Sequence, residues 1–253
     1  MSPDIGAALG RRLAKYVKTK RLALRNEQPI VSFTFDDFPR SAVTNGARVL
    51  EAAGAYGTFY LAGGLAGADV DGRSMATKDE IAELAKRGHE IGCHTFSHAR
   101  LPKLDAAATE DELARNRAFF TDLVKDGILT NFAYPFGDLT PARKLQLQAE
   151  FASCRGISPG INSGTADLGQ LKAVALYDHL YSQDQVRALI RQAKAENGWL
   201  IFYTHDVEQG PMRYGTTLGL FEFSVNCAKD EGCAILSVRN ALGAAAFAPA
   251  QTN

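Results

Sequence analysis

Short runs of β-branched and aromatic residues alternate along the chain with longer segments whose apolar positions recur every three or four residues, and Gly or Pro separates the two kinds. The runs predict strands at Ile30–Phe35, Tyr56–Leu61, His89–Cys93, Asn131–Tyr134, Cys154–Ile157, Lys172–Tyr177, Trp199–Thr204 and Ala234–Val238. Helical patterns fall between most of them, at Ala42–Ala53, Lys78–Arg87, Ala106–Lys125, Pro141–Phe151, Gln183–Glu196 and Thr217–Lys229. Repeated strand–helix units imply a mainly parallel sheet, because each crossover returns the chain to the same end. Such strands either close into a (β/α)8-type barrel or open into a doubly wound sheet. The polar residues favour closure: Asp36, Asp37, His94, Tyr134, Pro135 and His205 all fall at or just after strand ends, where barrels collect their function. The expected fold is therefore α/β, a TIM-like (β/α)8-type barrel occupying residues 29–253 as a single domain.

Residues 1–28 read differently. Leu9, Leu13, Tyr16 or Val17, and Leu24 recur at near-helical spacing opposite Arg11, Arg12, Lys15, Lys18, Lys20, Arg21 and Arg25, with no acid between Arg11 and Arg25. This predicts a basic N-terminal helix that either packs on the domain with its charges solvated or lies on an anionic membrane as a peripheral contact. The same basic residues interrupt the apolar core that an export signal needs, so a cytoplasmic setting, at the inner membrane face if the helix binds there, is the expectation.

Composition narrows the function classes. Lys+Arg 28 balances Asp+Glu 28, so no global charge draws the chain to nucleic acid. With 46% hydrophobic and 22% charged residues this is an ordinary globular composition. Cys93, Cys154, Cys227 and Cys233 form no CxxC pair and read as buried, reduced thiols. Gly63-Gly64 lacks both the spacing of a dinucleotide loop and the lysine of a phosphate loop.

Four segments carry candidate chemistry. Thr34-Phe35-Asp36-Asp37 ends an apolar strand on two adjacent carboxylates, which can take different roles because neighbouring residues leave a strand in different directions. A solvated turn capping the following helix accounts for them equally well. His94-Thr95-Phe96-Ser97-His98 places two imidazoles at i and i+4, which would share one face if the segment turned helically. It lacks the glutamate of HExxH, so a base must come from elsewhere, and the first strand end is the natural supplier. Two His and one Asp would leave a fourth position on zinc for water, whose acidification makes hydrolysis the default chemistry. The same set also suits Fe(II). His205, ending Phe202-Tyr203-Thr204, is a proton donor if it shares that rim and a buried structural histidine otherwise. Phe132-Ala133-Tyr134-Pro135-Phe136-Gly137-Asp138 is a stiff aromatic turn fit either to line a sugar site and stabilise an oxyanion or simply to pack.

In their order along the chain, TFDD at Thr34–Asp37, HTFSH at His94–His98, YPFG at Tyr134–Gly137 and YTH at Tyr203–His205 resemble the NodB-like polysaccharide deacetylases, carbohydrate esterase family 4. The resemblance runs from about Ile30 to Val238. It implies a distorted TIM-like (β/α)7-8 barrel of the NodB type and a divalent metal held by Asp37, His94 and His98, zinc first, with Co2+, Ni2+, Mn2+ and Fe2+ as alternatives. It further implies Asp36 as the base, His205 as the acid that protonates the departing amine, and an oxyanion site near Phe136 flanked by Tyr134 and Pro135. The function expected is N-deacetylation of an N-acetylated sugar in an oligosaccharide, polysaccharide or lipid-linked precursor.

Two departures from the family pattern stand out. The third motif of the family often carries an arginine two residues before the proline, supporting the base, and here that position is Ala133. Arg155, on the next strand, is the candidate replacement. The Asp-Trp that orients the acid histidine is replaced by Asp178-His179, which makes Asp178 the candidate orienter. Three alternatives stay open: an amidohydrolase acting on a non-sugar amide, an O-acetyl esterase, or a carbohydrate-binding scaffold without catalysis. Substrate choice is expected in the loops Gly63–Ser74, Ser158–Gln170 and Val207–Thr216.

Overall fold

A computed structural model describes residues 17–246. At its centre two strands, β2 (Ile30–Asp36) and β11 (Trp199–Thr204), are buried along their whole length and pair in parallel, from Trp199 opposite Ile30 to Thr204 opposite Phe35. Burial on both faces explains why these strands read as continuous apolar runs rather than as alternating patterns. Around them lie β3 (Thr58–Leu61), β6 (Glu90–Cys93), β7 (Asn131–Ala133), β8 (Ser153–Arg155), β10 (Val174–Ala175) and β12 (Ala234–Ile235). The order is β10-β11-β2-β3-β6-β7-β8, with β12 attached to β2. All these pairings are parallel, and the isolated bridge Arg155–Leu171 carries the sheet from β8 toward the segment that leads into β10. The result is a curled parallel sheet in which each of the eight strands expected from sequence is present. Several are shorter than their apolar runs.

The helices are α1 (Ala47–Ala52), preceded by a π-helical turn at Ala42–Gly46, α2 (Lys78–Lys86), α3 (Ala106–Leu123), α4 (Pro141–Glu150), α5 (Gln183–Ala195), α6 (Leu218–Asp230) and α7 (Val238–Ala246). Their starts are chemically marked. Thr77 and Ser182 form capping boxes with Glu80 and Gln185, while Asp105, Thr140 and Thr217 each accept one backbone N–H of the first turn. The last helix corrects the sequence expectation: Val238, read as the end of a strand, begins α7. The Val238 and Arg239 N–H groups donate to the buried side chains of Thr58 (2.8 Å) and Glu90 (2.7 Å), a long-range cap with no local signature.

The N-terminal expectation is also corrected where it can be seen. Residues 1–16, which carry Arg11, Arg12 and Lys15 of the basic helical pattern, lie outside the described residues. From Val17 to Gln28 there is no helix. Arg21–Ala23 forms β1, paired antiparallel with β9 (Thr165–Asp167). Pairing wins there because the Asp167 carboxylate accepts the Thr19 and Lys20 N–H groups and the buried Lys144 ammonium (2.6 Å), while Lys20 Nζ donates to the Gln148 and Phe151 carbonyls at the end of α4. The basic residue Lys20 thus serves as a helix C-cap. The loop Ser158–Gln170, where substrate choice is expected, supplies β9 to this clasp.

Candidate active site and metal centre

The carboxyl end of the sheet brings together residues that are far apart in sequence. β2 ends in Asp36 and Asp37 follows it, the chain leaving β6 supplies His94 and His98, β8 ends in Arg155, and His205 follows β11. Asp37, His94 and His98 each present a ligand atom within 4.8 Å of the others, and they are the residues among those described that could jointly hold a metal ion. The imidazoles do not share a helical face. The segment is an irregular loop in which Thr95 (φ 60) and His98 (φ 55) take left-handed backbone, and the two rings stand 5.0 Å apart. Asp37 (φ 58), Phe38 (φ 71) and Phe136 (φ 59) at the same rim are left-handed too. Such conformations cost roughly 1–3 kcal/mol each and cluster where a site demands them.

Hydrogen bonds fix the ligands. His94 Nδ1 lies 2.8 Å from the Ala133 carbonyl, which sets the tautomer and leaves Nε2 to face Asp37. The loop carrying His98 is held by Glu112 of α3, whose carboxylate accepts the Phe96 N–H (2.9 Å), the Ser97 N–H (2.7 Å) and the Ser97 hydroxyl (2.9 Å). Thr95 Oγ1 accepts the Ala99 N–H. Burial pushes His94 down to about 3 and His98 to about 4, so both are neutral at physiological pH, as ligation requires. Asp37 Oδ1 is buried with no hydrogen-bond partner. An orphaned carboxylate oxygen facing two neutral imidazoles is the donor set of a divalent cation, and the residues fit one.

Arg155 lies where the sequence placed it. Its guanidinium is fully buried, pairs with the Asp36 carboxylate, donates to the Gly156 carbonyl, and sits between the rings of Tyr60 (5.1 Å) and Tyr203 (4.9 Å). Burial by itself would raise the Asp36 carboxyl, but Arg155, with His94 and His205, outweighs it and leaves Asp36 below its ordinary range. The strand register explains the substitution. Ala133 and Arg155 are direct neighbours across β7 and β8, so Arg155 reaches Asp36 from the position one strand over from Ala133.

The remaining assignments divide. His205 Nε2 lies 3.8 Å from Asp37 Oδ2, on the site, but its Nδ1 is held by the Tyr214 carbonyl at 3.0 Å. Asp178 does not orient it: the Asp178 carboxylate accepts the Thr216 hydroxyl (3.1 Å) and the Thr217 N–H (2.7 Å) at the start of α6. The Tyr134 side chain is also corrected. It is buried, with its hydroxyl donating to the Gly169 carbonyl, and so faces the core rather than a substrate. Pro135 opens the short turn Pro135–Gly137, which presents Phe136 half-exposed, 4.3 Å from the His98 ring, with Arg100 stacked 3.7 Å over it. Sequence reasoning missed Glu112 and the Ala133 and Tyr214 carbonyls. Backbone acceptors have no residue signature, and a buried glutamate within a helical pattern reads as a surface position.

Comparison with known proteins follows the same lines. A model of the polysaccharide deacetylase family matches residues 23–152, just over half of the sequence. The chain belongs to the polysaccharide deacetylase family. A chitin deacetylase of Pestalotiopsis sp. is 32% identical over 93 residues, 37% of this chain and 30% of that protein. A peptidoglycan-N-acetylglucosamine deacetylase of Bacillus cereus is 28% identical over 120 residues, 46% of this chain and 51% of that protein. The matched segments thus span 30% and 51% of the length of these two curated relatives. In fold it is similar to the chitin deacetylase of Colletotrichum lindemuthianum, with TM-score 0.64 and 18% identity over 90% of this chain and 92% of that one. It is also similar to PdaA of Bacillus subtilis, a family 4 carbohydrate esterase, with TM-score 0.59 and 15% identity over 95% of this chain and 91% of that one.

Proposed function

We propose that this polysaccharide deacetylase family member is a metal-dependent N-deacetylase that hydrolyses the acetamide of an N-acetylated sugar in an oligosaccharide or polysaccharide. One observation carries the reading: a carboxylate paired with a buried guanidinium, Asp36, and a histidine held through Nδ1, His205, flank the same ligand set of Asp37, His94 and His98. When bound there, a divalent ion would supply a Lewis acid that acidifies water and draws charge onto the carbonyl oxygen. Asp36, kept ionised by Arg155, takes the proton of the attacking water. As the carbon–nitrogen bond breaks, His205 gives its proton to the leaving nitrogen, and the products are acetate and a free amino sugar. The nitrogen needs that proton because an amide anion is too basic to leave. A binding scaffold would have no use for a base and an acid on either side of a metal.

The deciding experiment measures metal content and acetate release from N-acetylglucosamine oligomers for wild type, Asp36→Ala and His94→Ala. Wild type is expected to hold about one zinc equivalent and to turn over, Asp36→Ala to keep metal but lose turnover, and His94→Ala to lose both. Bound metal with no deacetylation of any N-acetyl glycan overturns the substrate class. Absence of divalent metal in the wild type overturns the reading at its base.

A further inference from the structure

In this chain the acid histidine is oriented by a backbone carbonyl, so whatever fixes the loop from Asp206 to Thr217 fixes His205. That loop is wrapped around the Asp206 carboxylate. Asp206 is fully buried, its Oδ2 accepts the Met212 N–H at 2.6 Å, and its carbonyl accepts the Thr216 N–H at 2.9 Å. Gly215 lies so close that a Cβ there would stand 2.4 Å from Asp206 Oδ2, so only glycine admits the carboxylate. Tyr214, whose carbonyl receives His205, sits between these anchors, and Asp178 ties the far end of the loop.

A buried carboxylate needs a counter-charge. The nearest is Arg73, whose Nη1 lies 3.9 Å from Asp206 Oδ1. Arg73 Nε and Nη1 and Asp206 Oδ1 are all buried and otherwise without hydrogen-bond partners, so the two orphaned donors and the orphaned acceptor answer one another, directly or through one bridging water. Arg73 is delivered by the hairpin β4 (Asp69–Val70) and β5 (Arg73–Ser74), whose turn is Asp71-Gly72 with both residues left-handed (φ 52 and φ 77). That turn type sets strand register tightly and so fixes where the guanidinium arrives.

We propose that Arg73 and Asp206 are positioning residues for the leaving-group acid. The pair holds the loop whose Tyr214 carbonyl aims His205, replacing an orienting side-chain carboxylate, and through that loop it acts on protonation of the leaving group. The proposal rests on the deacetylase reading, in which His205 is the acid.

The test compares an acetamide, an N-acetylglucosamine oligomer, with 4-nitrophenyl acetate, whose nitrophenolate departs without a proton. In Asp206→Asn and Arg73→Gln, kcat on the acetamide is expected to fall by about 10²-fold, the loss typical of a misaimed catalytic group, while aryl-ester turnover, KM and zinc content stay near wild type. His205→Ala should show the same split more strongly, and Asp36→Ala should lose both substrates. Arg73 lies on a short peripheral hairpin, so Arg73→Gln is informative even if Asp206→Asn fails to fold. Equal loss on both substrates, undiminished acetamide turnover, or loss of zinc in Arg73→Gln would each overturn the proposal. If wild type deacetylates no N-acetyl sugar, the deacetylase reading fails, but the pair is still judged by nitrogen-edited NMR. A protected His205 Nδ1–H present in wild type and lost in Arg73→Gln supports it, and a signal unchanged in the variant overturns it.

Discussion

Replacing Arg155 by Met removes a guanidinium that is fully buried and that pairs with a carboxylate only 5% exposed. Breaking such a pair from one side costs about 3–5 kcal/mol, because the surviving charge is left without compensation. Asp36 has a way to escape that cost, which is to bind a proton. Burial already pushes its carboxyl upward and Arg155 is the largest single influence holding it down, so without Arg155 the protonated form is favoured. A protonated Asp36 cannot accept the proton of an attacking water. If 2.7 kcal/mol of the cost falls on the reacting state, kcat/KM at pH 7 drops about 10²-fold, and the acid limb of the pH–rate profile moves to higher pH, so that raising the pH restores part of the loss. The assay is acetate release from N-acetylglucosamine oligomers across pH, with thermal unfolding to confirm a folded variant. The register of β7 and β8 adds a relocation test: the double variant Ala133→Arg, Arg155→Ala should recover activity over Arg155→Ala alone. Wild-type kcat/KM with an unmoved acid limb in Arg155→Met would refute the assignment.

Other expectations follow from the same geometry. His94 and His98 titrate near 3 and 4 in the fold against about 6.5 when unfolded, so below pH 6.5 the unfolded chain binds protons that the metal-free fold refuses, and stability falls with pH. At pH 5 this amounts to about 2 kcal/mol per imidazole. The metal-free protein should then melt roughly 8–16 °C lower at pH 5 than at pH 7, and a flat Tm across that interval would contradict the burial of the pair. Glu112→Gln weakens three hydrogen bonds to the His98 loop, and zinc affinity measured against a chelator should fall about 10–100-fold with little change in Tm. An unaltered affinity would mean that the loop holds its shape without Glu112.

Much of the barrel was legible because its strands are buried on both faces and punctuated by Gly and Pro, so apolar runs such as Ile30–Phe35 and Trp199–Thr204 stand out without an alternating pattern. The candidate site residues were legible because Asp36-Asp37 and the two histidines sit at or just after strand ends, and Arg155 because it lies on the strand next to Ala133. What escaped was nonlocal. The cap of α7 comes from Thr58 and Glu90, more than a hundred residues away, and the partner of His205 is a carbonyl on a loop, which any amino acid supplies. Asp178 was misread for a related reason: its distance from His205 along the chain said nothing about which of several donors its carboxylate would meet first. Val17–Ala23 was drawn out of its helical pattern by a single acceptor, Asp167.

The lateral contact of Ala133 with Arg155 bears on how members of a family are counted as active. Because parallel strands place registered residues side by side, positions 133 and 155 are adjacent seats, and here the cation beside Asp36 takes the seat at 155 while a small residue fills the one at 133. A motif written as a string of letters sees only one seat and marks this chain as defective. A descriptor written as a charge required near a given carboxylate, satisfied from either strand, marks it as complete. Chains set aside as degenerate because a motif arginine is missing are therefore worth re-examining for one on the adjoining strand.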